Sequence, residues 1–182
     1  MLQKMNQRGK MMKSLVVYSS RTGNTKMVAE AIAAELHPCE LHPVESAPDA
    51  SGFDFVAVGY WVDRGMPDAA SRNYLESLHD TRVALFGTLG AWPDSDHARA
   101  CMDAGEALAG TPERRNTVLG SWLCQGKVDP RVLEMMNRVA RDVHPMTPER
   151  IARIEEAKKH PDAADLERAR RFFAAIVQSI KE

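Results

Sequence analysis

Ser14-Leu-Val-Val-Tyr-Ser-Ser-Arg-Thr-Gly-Asn-Thr25 is the stretch that decides the fold. Its first half, Ser14 to Ser19, is a short apolar run rich in β-branched residues, the pattern of a strand buried on both faces. Its second half, Ser20 to Thr25, is a turn cluster. Beyond it Val28, Ile32 and Leu36 recur at i, i+4 and i+8, the stripe of an amphipathic helix. Pro38 ends that helix.

The same alternation continues outward. Cys39 to Val44 reads as a weak second strand, followed by a polar loop to Gly52. Phe53 to Gly59 is a third strand, with a loop from Tyr60 to Pro67 and a helix over about 68–79 carrying Tyr74, Leu75 and Leu78. Arg82 to Phe86 is a fourth strand, and Gly87 to Asp94 its loop. Ser95 or Asp96 caps the next helix, whose stripe is Ala98, Cys101, Met102, Gly105 and Leu108. Thr117 to Leu123 is a fifth strand, closed by a tight loop at Cys124-Gln125-Gly126.

The remainder is helical. Val132, Met135, Met136 and Val139 form one stripe. Thr147-Pro148 is a helix start with Pro at the first helical position, and Ile151 and Ile154 give that helix a thin apolar face. A second start at Pro161-Asp162 leads to Leu166, Ala169, Phe173, Ile176 and Ile180, widened by Phe172 and Val177 into the strongest stripe in the chain. Apolar strands alternating with helices predict a doubly wound α/β fold, a five-stranded parallel sheet covered on both faces. Ligands in such folds bind at the carboxyl ends of the strands. Residues 1–12 show no periodicity and read as a tail. Residues 13–182 read as a single domain, with about 128–160 as an extra helical segment.

Composition narrows the function classes. At 182 residues and 20.2 kDa the chain fits one domain of ordinary size. The hydrophobic fraction of 44% and charged fraction of 27% belong to a soluble globular protein, not a disordered one. A net charge of −1 argues against a nucleic-acid binder working through a large positive field. That figure hides an asymmetry: Lys4, Arg8, Lys10 and Lys13 stand without an acid in the first thirteen residues, so the rest is mildly acidic. Cys39, Cys101 and Cys124 include no C-x-x-C pair, which supports neither a disulfide framework nor a zinc ribbon. A reducing compartment fits best. No stretch approaches the ~18 apolar residues of a membrane span, and Met1 to Lys10 lacks the apolar core of a secretory signal. The expected location is the cytoplasm, with no membrane partner.

The turn Ser20-Arg21-Thr22-Gly23-Asn24-Thr25 carries the chemistry. Gly23 lets the chain bend tightly. The helix start supplies free backbone N–H groups and the positive end of a dipole, and Ser20, Thr22 and Thr25 add hydroxyl donors. This is a nest for a phosphate. It is neither a Walker A loop, lacking Gly-Lys-Ser/Thr, nor the G-x-G-x-x-G dinucleotide fingerprint. Hydroxyls and amides together suit a terminal phosphate monoester. The six histidines form no H-x-x-x-H pair, and no Ser-His-Asp pattern stands out, so no metal ligand or catalytic residue is expected.

This turn resembles the S/T-x-T-G-x-T phosphate loop of the flavodoxins, and the order of elements is similar from about Lys13 to Leu123. The resemblance implies the flavodoxin-like strand order 2-1-3-4-5, with FMN as cofactor. It places the flavin ring between the loops after the third and fourth strands, here Tyr60, Trp61, Val62 and Asp63, and Thr88, Leu89, Gly90 and Trp92. Trp61 and Trp92 are the expected stacking residues, and Trp122, inside a strand, is expected in the core. Gly59 to Gly65, Phe86 to Trp92 and Cys124-Gln125-Gly126-Lys127 are similar to a subgroup of short flavodoxin-family proteins from anaerobic bacteria, the kind to which the flavodoxin-like accessory protein of bilirubin reductase belongs. Cys124, beside Gln125 and Gly126, either lines the expected pocket with them or is a small buried hydrophobe. Asp63 or Asp94 near the ring would lower the flavin's potential.

The implied function is an electron carrier that takes electrons from a reductase or ferredoxin and passes them to a partner redox enzyme. Two alternatives stand beside it: an NAD(P)H-dependent FMN or quinone-type oxidoreductase on the same fold, and a flavin-free binding module. A flavodoxin needs only one helix after its fifth strand. The extra helical segment is expected to extend the core, cap the pocket or form a homodimer surface.

Overall fold

The inner strands of the central sheet are buried on both faces, and the computed structural model, which describes residues 12–139 and 146–181, shows why their runs are continuous. The strands are β1 (Ser14–Tyr18), β2 (Cys39–Pro43), β3 (Phe55–Asp63), β4 (Met66–Pro67), β5 (Arg82–Leu89) and β6 (Thr117–Gln125). The helices are α1 (Asn24–Glu35), α2 (Ala69–Ser77), α3 (Asp96–Ala109), α4 (Pro130–Val139), α5 (Pro148–Ala157) and α6 (Ala163–Lys181). Five strands lie parallel in the order β2-β1-β3-β5-β6. With β4 set aside, this is the expected order 2-1-3-4-5.

Successive residues along a strand point to opposite faces, and two cores follow. Val16, Phe55, Ala57, Phe86 and Cys124 face α1 and α6, meeting Val28, Ile32, Phe173 and Val177. Leu15, Val17, Val58, Tyr60 and Leu85 face the other way, toward Leu75 of α2 and Met102 of α3. Phe173 anchors the first core, with its ring centroid 5.7 Å from that of Phe86 in an edge-on arrangement and 6.4 Å from that of Phe55. The stripes read in α1, α3 and α6 are these buried faces. Ser95 caps α3 and Thr147 caps α5, each accepting a backbone N–H from the first turn.

Three strands run further than their apolar runs. β3 continues through Tyr60-Trp61-Val62-Asp63, β5 through Gly87-Thr88-Leu89, and β6 through Cys124-Gln125. Ladder pairing, not apolarity, holds these ends: Trp61 pairs with Thr88, and Leu89 with Gln125. The segment expected as a loop over 60–67 is instead a hairpin. Asp63 pairs with Met66 across Arg64-Gly65, whose φ angles of 52° and 83° are the left-handed pair of a two-residue hairpin turn.

Trp122, expected in the core, is half-buried because β6 is an edge strand. Met135 of α4 is exposed, while the side chains of Met136 and Val139 lie outside the described residues, as does the tail over 1–11. No helix among the described residues is long and apolar enough to cross a membrane.

Candidate functional site

The sheet order makes β1 the point where the strand order reverses, with β2 on one side and β3 on the other. The crevice beside such a switch point, at the carboxyl ends of the strands, is where doubly wound sheets take ligands. The turn Ser20–Thr25 lies there. Gly23 stands at φ 91° before α1, a conformation L side chains rarely adopt; nothing lies within 4 Å of where a Cβ would sit, so the backbone angle rather than crowding requires glycine. The N-cap residue, Gly23, has no side chain to cap α1, and the helix holds no acid in its first turn. Its first turn therefore presents N–H groups and the positive end of the helix dipole without a protein carboxylate to neutralise them.

The hydroxyls divide. The Ser20 hydroxyl oxygen accepts from the Lys26 N–H at 3.3 Å, leaving its own proton available. Thr22 is exposed. Thr25 is buried, and its Oγ1 lies 2.8 Å from Thr88 Oγ1. That pair ties the start of α1 to β5, so Thr25 and Thr88 act on each other inside the protein rather than at its surface.

A segment after β6 crosses the turn. Asn24 Nδ2 donates to the Lys127 carbonyl at 3.0 Å, and Thr22 Oγ1 donates to the same oxygen at 3.4 Å. Gly126 permits this crossing, because a Cβ there would stand 2.5 Å from Asn24 Nδ2. The Arg21 Nε–H donates to Asp129 Oδ2 at 2.8 Å, and the guanidinium carbon lies 5.4 Å from the Trp61 ring centroid. Asp129 is buried and also accepts from the Arg131 side chain and the Arg131 backbone N–H. Those bonds to Arg131, joined by the one from Arg21, hold its carboxyl well below the usual carboxylate range.

Of the residues expected on the ring side, Trp61, Val62 and Asp63 are half-buried at the end of β3, and Trp92 is 43% exposed beyond β5. Leu89, buried, ends β5, and Gly90 leads from it toward Trp92. Two side chains expected at the pocket belong to the core instead. Tyr60 is fully buried, and its hydroxyl donates to Met102 Sδ at 3.3 Å; burial pushes its phenol far up. Cys124 packs against α1 and α6, and burial likewise pushes its thiol up. Both positions obey strand alternation, which a loop reading of 60–63 and 124–126 ignores. Gln125 is only 2% exposed, and its Nε2 has no hydrogen-bond partner among the described residues. A buried amide donor left open at the carboxyl end of β6 is costly unless something accepts from it.

Sequence reading missed Asp68, Lys127 and Asp129. Asp68 is buried and accepts from Ser19 Oγ at 2.9 Å, Ser71 Oγ at 2.9 Å and the Ala70 N–H at 3.2 Å, while its own N–H donates to the Trp61 carbonyl at 3.2 Å. A signal existed for Asp129, since Asp129-Pro130 is the same cap-then-proline start as Thr147-Pro148. Lys127 acts through its carbonyl, which no sequence pattern marks.

A depression of about 290 Å³ opens between the β5–α3 loop and β6, lined by Pro93, Asp94, Arg99 and Trp122 among others. None of its lining residues belongs to the turn. The turn, Trp61 and Gln125 thus form a separate donor set: backbone N–H groups, the Ser20 and Thr22 hydroxyls, a guanidinium and an orphaned amide, beside aromatic surface. Such a set can hold an anionic group at one end and a flat polar ring at the other.

Known proteins share this fold. A family model described as Flavodoxin domain matches residues 15–174. The flavodoxin-like domain-containing protein BilS of Clostridioides difficile (strain CD3) is 34% identical over 170 residues, covering 88% of this chain and 94% of that one. Among solved structures, a flavodoxin from the domain Archaea superposes with a TM-score of 0.56 at 17% identity, over 94% of this chain and all of that one. A flavoprotein from Lactobacillus acidophilus NCFM, solved in complex with FMN, gives 0.51 at 20% identity, over 62% of this chain and 93% of that one. With the matching family model spanning most of its length, the chain belongs to the flavodoxin family.

Proposed function

We propose that the protein binds FMN and carries electrons between redox proteins. The observation that supports this most is the start of α1, with no acid in its first turn and no side chain at its left-handed N-cap Gly23, at the switch point of the sheet. A phosphate dianion supplies the charge that this helix end lacks. Ser20, Thr22 and Asn24 would hold the phosphate, and Trp61 and Trp92 would flank the ring. The buried Gln125 amide would donate to a ring carbonyl, which relieves its lack of a partner.

When bound, FMN supplies one- and two-electron chemistry that the side chains themselves do not. The protein's part is then to bind, orient and exclude water. The partners would be a reductase or ferredoxin on one side and an acceptor enzyme on the other, in a reducing compartment that suits three free cysteines. Residues 13–182 would act as one unit in this role.

The purified protein should show flavin absorbance after reconstitution with FMN. It should oxidise NAD(P)H only slowly until a reductase is added. Thr22→Glu, which sets a carboxylate at the phosphate position, should abolish FMN binding in a fluorescence titration. Undiminished binding by that variant would move the phosphate elsewhere, and a colourless wild type at saturating FMN would sink the reading itself.

A further inference from the structure

Hydrogen-bond capacity separates the donors of the turn. A threonine hydroxyl carries one proton, an asparagine amide two and a guanidinium five. Asn24 gives one N–H to the Lys127 carbonyl and keeps another. Arg21 gives its Nε–H to Asp129 and keeps its terminal N–H groups. Thr22 is held to Lys127 only at 3.4 Å, a long bond that it must release to donate elsewhere. The segment over 126–129 therefore fixes two side chains that still have donors to offer.

Asp129 anchors that segment. Its carboxylate is 7% exposed and takes both Arg21 and Arg131, while its carbonyl accepts from Val132 and Leu133 at the start of α4. Gly126 donates its N–H to the Leu89 carbonyl at 2.9 Å, pinning the near end to β5. Gly90 leaves room for Val128, whose Cγ2 would lie 2.3 Å from a Cβ at that position. The crossing is thus a fitted strap, closed by a buried acid on an arginine 108 residues away.

We propose that Asp129 is a positioning residue for the nucleotide phosphate, acting through Arg21 and the strap to keep the free N–H groups of Arg21 and Asn24 at the turn. This rests on the reading that the turn takes the phosphate of FMN. The sign of the effect is unusual. Asp129 is itself an anion, so if it acted through charge alone, removing it would tighten phosphate binding. As a positioning group, its removal weakens binding.

The test uses the full chain. Asp129→Asn keeps a side chain that caps helices well, so α4 retains its start. Dissociation constants for FMN and for riboflavin, which lacks the phosphate, are measured by flavin-fluorescence quenching in wild type, Asp129→Asn, Arg21→Gln and the double variant. The expected result is FMN affinity lowered about tenfold by Asp129→Asn, the scale of one charge-assisted hydrogen bond. Riboflavin affinity should stay within about twofold, and the double variant should lose less than the sum of the two single losses. Unchanged or tighter FMN binding by Asp129→Asn, equal losses for FMN and riboflavin, or additive losses in the double variant would each overturn the proposal. A wild type that quenches neither flavin would instead overturn the functional reading, and this proposal with it.

Discussion

Trp61 and Trp92 stand beyond the cores of neighbouring strands, and the chain holds them in different ways. Around Trp61, β3 runs on into a hairpin, the Asp68 N–H donates to the Trp61 carbonyl, and Arg21 lies over the ring. Asp68 also takes Ser19 and Ser71, so the rim is tied to β1 and α2 at once. Around Trp92, β5 gives way to a turn closed by Ser95, whose N–H and hydroxyl both donate to the Trp92 carbonyl, at 3.1 and 2.7 Å. Its ring stays 43% exposed. The Trp61 rim is held by buried polar groups, whereas no such support surrounds the exposed Trp92 ring among the described residues. On the proposed function these would be a preformed and a less ordered wall. Binding to a preformed wall avoids the ordering cost that a mobile one incurs.

Cutting the tie of the β3 rim should have the largest effect. Asp68→Ala removes a helix cap and leaves the Ser19 and Ser71 hydroxyls and the Ala70 N–H without their acceptor. A lost cap plus buried unsatisfied donors should cost about 3 kcal/mol. The urea midpoint of unfolding reads it, and a midpoint equal to wild type would show that the rim does not depend on Asp68.

The two tryptophans then separate stability from affinity. Trp61→Ala gives up half-buried aromatic surface and the cation above it, a loss of about 1–2 kcal/mol. Trp92→Ala should stay within about 0.5 kcal/mol of wild type, as exposed sites do. Both should weaken FMN. If Trp92→Ala destabilises the protein as much as Trp61→Ala, the two walls do not differ as described.

The contrast also explains what sequence could show. The strands followed from apolar runs, and the stripes in α1, α3 and α6 followed from helical period, because burial on a regular element leaves a local pattern; the order of the strands came only from the resemblance carried by the turn. Val28, Ile32 and Phe173 are buried for that reason. The hydroxyl-rich turn was equally visible. The carboxyl ends of β3, β5 and β6 were not, since there the ladder outlasts the apolar run and alternation sends Tyr60 and Cys124 inward. The polar ties were least legible. Arg21 meets Asp129 across 108 residues, and Ser19 meets Asp68 across 49, so nothing near either residue announces its partner.

A third support, under the strap, should show a small effect with a pH signature. The Lys127 N–H reaches the His160 carbonyl at 3.4 Å. His160 in turn pairs with Asp165, which is 3% exposed and also takes Arg168; Asp165 and Asp162 exchange backbone and carboxylate hydrogen bonds at the start of α6. The Asp165 hydrogen bond raises the His160 pKa, with Glu156 adding to it from 3.6 Å. For Asp165, burial works upward, but His160, the Asp162 N–H and Arg168 bring its carboxyl below the ordinary value. A raised histidine stabilises the fold fully below its unfolded value of about 6.5 and loses that contribution as pH rises through its folded value. A lowered aspartate stabilises above its unfolded value of about 3.9 and loses that as pH falls through its folded value. The pair is therefore strongest between about pH 4 and 6.5. His160→Gln should cost more at about pH 5.5 than at about pH 8.5, by under about 1 kcal/mol because the pair is partly open to solvent. Urea midpoints at the two pH values measure this. An equal cost at both would mean that His160 supports the strap by packing and not by charge, leaving Asp129 as its one ionic anchor among the described residues.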